Sequence, residues 1–298
     1  ATLIANPENK NLNAAIASEA MTALGGTEFS WLAGGIAADV PLETMPADIE
    51  KIWKKLQSKQ IDMVIQPTEN RRKKILLADM DSTMIQQECI DELAAEAGVG
   101  ERVVEITARA MNGELDFDEA LNERVGLLAG LDVDVIQQVL DTRITLMSGG
   151  VELLATMRAN GAYAALVSGG FTDFTSAIAT KLGFDENRAN ALLQSGGKLT
   201  GRVGLPILGR QAKVDALMDI TTRMGFLPTD VIAVGDGAND LGMLHLAGSG
   251  VALHAKPAVA AECSLRLNFA DLTGLLYIQG YRIDRPLSTS SAADVPSC

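Results

Sequence analysis

Ile75-Leu76-Leu77-Ala78-Asp79-Met80-Asp81-Ser82-Thr83 is the stretch that decides the fold. Its apolar run lacks the alternation of a half-exposed strand and suits a strand of a covered parallel sheet. Such sheets carry their chemistry just past the carboxyl ends of the strands. Asp79 and Asp81 stand at that end, one residue apart, followed by Thr83. Carboxylates at i and i+2 can serve one site, one attacking or binding a metal and the other handling a proton. The bland alternative is that two acids flanking a Met simply start a turn.

Two further apolar runs behave alike. Tyr163-Ala164-Ala165-Leu166-Val167 leads into Ser168-Gly169-Gly170, and Val231-Ile232-Ala233-Val234 leads into Gly235-Asp236-Gly237-Ala238-Asn239-Asp240. Between them Lys213, in Gln211-Ala212-Lys213, starts an amphipathic stretch. In this order the motifs resemble those of the haloacid dehalogenase-like phosphatases, over residues 74–275. The resemblance implies an α/β fold with a doubly wound, mostly parallel Rossmann-like sheet and an inserted helical cap, here at 86–147. The segments Gln86-Gln87-Glu88-Cys89-Ile90-Asp91-Glu92-Leu93-Ala94, Met111-Asn112-Gly113, Phe117-Asp118-Glu119-Ala120-Leu121 and Arg124-Val125 resemble the cap of the branch that hydrolyses O-phospho-L-serine, the serine-forming step of its biosynthesis. Val251-Ala252-Leu253-His254-Ala255-Lys256-Pro257, after the fourth motif, fits the same branch.

Roles follow from the resemblance. Asp79 is the expected nucleophile, becoming an aspartyl-phosphate, and Asp81 the general acid and base. A carboxylate nucleophile splits one hard displacement into two easier ones, and its partner needs a pKa raised toward neutrality. Magnesium suits an all-oxygen site; its expected ligands are Asp79, Asp236 and the backbone carbonyl of Asp81, with Asp240 nearby. Ser168 and the amides of Gly169 and Gly170 should hold phosphate oxygens at the start of a helix, where anions are favoured. Lys213 should bind the phosphate and the nucleophile, and Asn239 should bond near the phosphate or a metal-bound water. Glu88 is expected on the substrate ammonium and Arg124 on its carboxylate, for which a guanidinium has matching bidentate geometry. Met111 and Phe117 are expected as apolar walls, with plain core packing as the alternative.

Residues 1–72 read differently. Runs at 2–5, 28–33, 36–40 and 61–65 suggest strands, and 13–24 and 48–56 suggest helices. The order β-α-β-β-α-β is that of a small α+β ferredoxin-like domain. A sensing, a dimerising and a degenerate structural role all remain open, so a homodimer is neither required nor excluded. The basic run Arg71-Arg72-Lys73-Lys74 reads as a solvated linker. The phosphatase domain is expected over 73–285, with Ser195-Gly196-Gly197-Lys198 as a hairpin turn and 286–298 as a disordered tail.

The chain has 298 residues, 47% of them hydrophobic, enough for two cores. Its net charge of −13 argues against nucleic acid, whose binding needs a basic footprint. No apolar stretch is long enough to cross a membrane. No secretory signal is visible in the first ten residues, and Cys89, Cys263 and Cys298 form no metal-like or redox pair. A reduced, cytoplasmic setting is the expectation. His245 and His254 sit in no His/Cys cluster, which disfavours zinc. Two competing readings stay on the table: a phosphatase or phosphotransferase for another small phosphorylated metabolite, and a catalytically silent regulatory protein on the same fold. The intact set Asp79, Asp81, Lys213 and Asp236 weighs against silence.

Overall fold

The computed structural model describes residues 1–111 and 114–282, the Met111 side chain excepted. Asn112, Gly113 and the expected tail at 286–298 lie outside the described residues. Two compact units form, Ala1–Gln66 joined by the chain from Phe269, and Pro67–Asn268.

In the first unit the elements are β1 (Thr2–Ala5), α1 (Ala14–Leu24), β2 (Ser30–Ala33), β3 (Ala37–Asp39), α2 (Ile49–Gln57) and β4 (Ile61–Val64). The antiparallel sheet has the order β2-β3-β1-β4, a ferredoxin-like arrangement. Helix α1 starts where the Asn13 side chain accepts the Ile16 N–H, and stops at Gly25, whose φ of 77° suits a residue without a Cβ. Leu3, Leu12, Leu24, Ile52, Leu56 and Ile61 share its core.

The chain from Phe269 completes this unit, whereas the sequence boundary carries the phosphatase domain to 285. Asp62, fully buried on β4, accepts the N–H groups of Phe269 (3.0 Å) and Ala270 (2.9 Å). Asn6 donates to the Phe269 carbonyl, and Gln66 donates to that of Ile278. Leu272, Leu275, Leu276 and Ile278 have no exposed surface. Burying each such side chain stabilises by about 1.5–3 kcal/mol.

The second unit contains β5 (Ile75–Ala78), α3 (Cys89–Glu96), α4 (Gly100–Met111), α5 (Phe117–Gly126), α6 (Asp134–Thr142), α7 (Gly150–Ala159), β6 (Tyr163–Phe171), α8 (Thr172–Leu182), β7 (Glu186–Asn190), β8 (Leu192–Ser195), β9 (Lys198–Val203), α9 (Arg210–Met224), β10 (Val231–Gly235), α10 (Leu241–Leu246), β11 (Ser249–Leu253), α11 (Pro257–Glu262) and β12 (Leu265–Leu267). Its parallel sheet has the order β12-β11-β10-β5-β6-β7. The chain leaves β5 toward β6 and later returns on the other side through β10. That makes the β5/β10 boundary the switch point, where α/β sheets open a crevice. β5 is buried throughout, as its unbroken apolar run requires.

Helices α3 to α6 form the insert after β5. Its entry and exit segments pair: Gln86 N–H donates to the Thr145 carbonyl (3.0 Å), and Met147 N–H donates to that of Met84 (2.9 Å). Two expectations need correction. Lys73 is buried rather than solvated, because its ammonium donates to the Thr229 carbonyl at 2.8 Å. Ser168, Gly169 and Gly170 lie inside β6, which shifts register before Phe171, so the helix begins only at Thr172. Among the described residues no helix is long and apolar enough to cross a membrane.

Candidate active site

The site gathers at the carboxyl ends of β5, β6 and β10. Asp79 follows β5 directly, and its N–H donates to the Val234 carbonyl of β10 at 3.0 Å. Lys213, in the first turns of α9, is 1% exposed. Its ammonium bridges Asp79 (2.7 Å) and Asp240 (2.6 Å). Burial opposes a charged lysine, but the two carboxylates win and hold its pKa above the ordinary range. Burial and the nearby Asp240 push the Asp79 carboxyl upward against the pull of Lys213.

Asp240 needs a close approach to β10. A Cβ on Gly235 would lie 2.4 Å from the Asp240 carboxyl carbon, so only glycine fits. Asp240 Oδ2 then accepts the N–H groups of Asp236 (3.1 Å) and Gly237 (2.9 Å). Asp236 accepts the Thr83 hydroxyl (3.1 Å), and burial followed by the Asp240 charge raises its pKa to about 6.

The carboxylates of Asp79, Asp236 and Asp240 lie within 4.8 Å of one another and can hold a metal ion. Lys213 bridges two of the three acids, Lys256 also acts on Asp236, and every donor is oxygen. A hard divalent cation fits that set and would relieve the repulsion that raises Asp236. The expected side-chain pair Asp79 and Asp236 is therefore together, with Asp240 as the third carboxylate.

Asp81 points elsewhere. Its Oδ1 accepts the Cys89 N–H (2.9 Å), and its Oδ2 accepts the Ser168 hydroxyl (3.2 Å). Burial raises its pKa. The Ser168 oxygen in turn accepts the Gly170 N–H at 2.9 Å, so that amide is engaged within the chain. A Cβ on Gly170 would sit 2.7 Å from Asp81 Oδ2, and one on Gly169 would sit 3.1 Å from the Phe117 ring. Asn239 places its side-chain oxygen over Gly237, close enough to exclude a Cβ there.

The cap brings three expected residues to this place. Phe117 opens α5, where Asp116 and Glu119 cap each other reciprocally (2.8 and 3.0 Å). Its ring lies against both Gly169 and Gly209. Glu88 accepts the Ser82 hydroxyl at 2.7 Å. It keeps surface in solvent, yet the surrounding protein, then the Asp81 charge, push its pKa up to about 7. Arg124, half-buried on α5, has its pKa lowered by burial while Asp91 and Glu88 pull it back. The Met111 side chain lies outside the described residues.

Sequence reasoning gave no role to Thr83, although its motif position was visible. It also passed over Ser82, which adopts a left-handed φ of 54° to reach Glu88. Asn190 carried no local signal at all. The His245 ring meets the Glu262 carbonyl at 3.1 Å.

Residues 76–245 match the haloacid dehalogenase-like hydrolase family. A phosphoserine phosphatase of Archaeoglobus fulgidus is 43% identical over 217 residues, covering 72% of this chain and 63% of that one. The chain thus spans less than two thirds of that relative's length, as it does of the Haemophilus influenzae and Vibrio cholerae relatives. The crystal structure of a probable phosphoserine phosphatase from Vibrio cholerae superposes with a TM-score of 0.78 at 35% identity, covering 94% of this chain and 86% of that one. A phospho-aspartyl intermediate analogue of phosphoserine phosphatase gives a TM-score of 0.65 at 40% identity, covering 69% and 98%.

Proposed function

We propose that this chain, which belongs to the haloacid dehalogenase-like hydrolase family, hydrolyses O-phospho-L-serine to L-serine and inorganic phosphate. The observation that carries the reading is the buried Lys213 bridging Asp79 and Asp240 at the strand ends. It holds one carboxylate forward while offsetting the charge that an incoming phosphate would meet. The relatives named for phosphoserine, and the opposite charges of Glu88 and Arg124 in the cap, support the substrate.

Asp79 attacks phosphorus in line, forming an acyl-phosphate bond as the bond to the serine oxygen breaks. Asp81 gives its proton to that oxygen, a role that its raised pKa favours. L-Serine leaves. Asp81, now a base, takes a proton from water, whose oxygen attacks phosphorus and frees Asp79 and phosphate. Ser168 orients Asp81 and stands beside the incoming phosphate with Gly169 and Gly170. Lys213 stabilises the negative charge that builds on the phosphoryl oxygens. Asn239 lies on the same rim. Asp79, Asp236 and the Asp81 backbone carbonyl, with Asp240 beside them, would hold Mg²⁺, which would supply charge neutralisation for the transferring phosphoryl group. Glu88 takes the substrate ammonium and Arg124 its carboxylate, and Phe117 with Met111 closes the apolar side. In this reading the reaction is the last, serine-forming step of serine biosynthesis.

Phosphate release from a panel of phosphorylated metabolites, with and without Mg²⁺, tests this. O-phospho-L-serine should lead the panel, and a chelator should abolish the activity. A preference for phosphorylated alcohols that lack the amino-acid head would overturn the substrate.

A further inference from the structure

The hairpin β8–β9 takes no part in that chemistry, yet it is bonded to the cap. Gly130 N–H donates to the Leu199 carbonyl (2.8 Å), Leu199 N–H donates to the Leu131 carbonyl (2.8 Å), and Val133 N–H donates to the Gly197 carbonyl (2.9 Å). The Lys198 ammonium adds bonds to the Gly130 carbonyl (3.1 Å) and the Asp132 carboxylate (2.9 Å). At Gly201, where φ is +75°, a Cβ would stand 2.8 Å from the Ala129 side chain and 3.2 Å from the Gly126 carbonyl. The hairpin backbone therefore rests directly on the turn that ends α5.

Arg124 lies in the last turn of that helix. The turn beyond it is tight, with Leu128 N–H donating to the Val125 carbonyl (3.0 Å) and Leu131 N–H donating to that of Leu128 (3.2 Å). Val125 and Leu128 are buried. A short hydrogen-bonded turn with buried apolar side chains thus joins Ala129 to Arg124.

The root of the hairpin is tied to the opposite side of the site. Asn190, 1% exposed at the end of β7, donates to the carbonyls of Gly169 (2.8 Å) and Leu208 (3.1 Å) and accepts the Leu208 N–H (2.7 Å). Gly169 adjoins Ser168. A continuous run of short contacts joins the proposed phosphate loop, Asn190, the hairpin and the end of α5.

We propose that the β8–β9 hairpin is a gauge that sets the spacing between the phosphate loop and Arg124, and so the length of phosphorylated amino acid accepted. Gly201 is its positioning residue. The inference rests on the proposed function, in which phosphate and carboxylate are held at opposite ends of one short substrate. Misplacing a charged partner by a fraction of an ångström weakens substrate capture while leaving the phosphoryl chemistry intact.

Two variants test it. Gly201→Ala fills the contact from the hairpin side, and Ala129→Val fills it from the cap side without a left-handed backbone to strain. KM and kcat are measured for O-phospho-L-serine and for p-nitrophenyl phosphate, which lacks the amino-acid head. Both variants should raise KM for O-phospho-L-serine about tenfold and leave both constants for p-nitrophenyl phosphate within about twofold. Adding Ala129→Gly to Gly201→Ala should recover part of the loss. Equal losses on the two substrates, or an unchanged KM for O-phospho-L-serine in folded Ala129→Val, would overturn the gauge. Failure of the functional reading shows separately, as a wild-type protein that does not prefer O-phospho-L-serine, and it removes the gauge as well.

Discussion

The floor and the roof of the site handle charge in opposite ways. In the floor, the Lys213, Asp79 and Asp240 side chains are 1%, 7% and 0% exposed, and Lys213 bonds to both carboxylates at 2.6–2.7 Å. In the roof, Glu88 touches solvent, and among the described residues the hydrogen bond of Arg124 runs only from its Nε to the Ala120 carbonyl at 3.2 Å. Floor charges are committed to the protein before any ligand arrives. Roof charges keep donors and acceptors in reserve. The proposed chemistry gathers at strand ends, with Asp79 directly after β5, Lys213 reaching in from α9 and Asp240 at the start of α10. The proposed recognition residues sit in the cap, Glu88 just before α3 and Arg124 on α5.

The contrast breaks most visibly at Asp79. Asp79→Asn should lower turnover on the order of 10⁴-fold on any phosphate ester, with the fold retained because Lys213 keeps Asp240. Phosphate release and thermal unfolding measured together check this; near-normal turnover would remove the covalent mechanism. Next comes Arg124→Ala, which should cost O-phospho-L-serine about tenfold to a hundredfold in kcat/KM, as a lost charge-assisted bond implies, while p-nitrophenyl phosphate changes little. If both substrates fall together, Arg124 organises the cap instead of reading the substrate.

Glu88 sharpens the comparison through pH. Its carboxyl is raised to about 7, so it is charged above that pH and neutral below. Ammonium binding should be present at pH 8 and fade toward pH 6, with KM for O-phospho-L-serine rising up to about tenfold per unit below the pKa. The same profile for p-nitrophenyl phosphate corrects for protonation of the phosphate, and Glu88→Gln should flatten the difference. A difference that survives in Glu88→Gln would assign the titration elsewhere.

The smallest effect is expected from removing the first unit whole. A chain of residues 67–268 should keep its turnover, since every proposed catalytic group lies inside it. Removing only 1–66 should behave worse, because Leu272, Leu275, Leu276 and Ile278 lose the partners that bury them. Light scattering of the two truncations separates them; equal solubility would mean that the segment from Phe269 is held some other way.

Much of this was legible along the chain. The buried run of β5, the paired acids after it and the small residues after β6 and β10 are local patterns, because a strand end and the residues beyond it are neighbours in sequence. So was the β-α-β-β-α-β order of the first unit, written in the spacing of its apolar runs. Other features were invisible for the converse reason. Asp62 holds Ala270 across 208 positions. The basic run at 71–74 looks uniformly solvated until the Thr229 carbonyl captures Lys73. The hairpin turn was readable from Gly196 and Gly197, but its seat on α5 was not. Periodicity encodes which face of an element is apolar, and motif spacing encodes which side chains stand at its end. Which distant backbone or carboxylate then meets them depends on how the elements close on one another, and only the folded chain decides that.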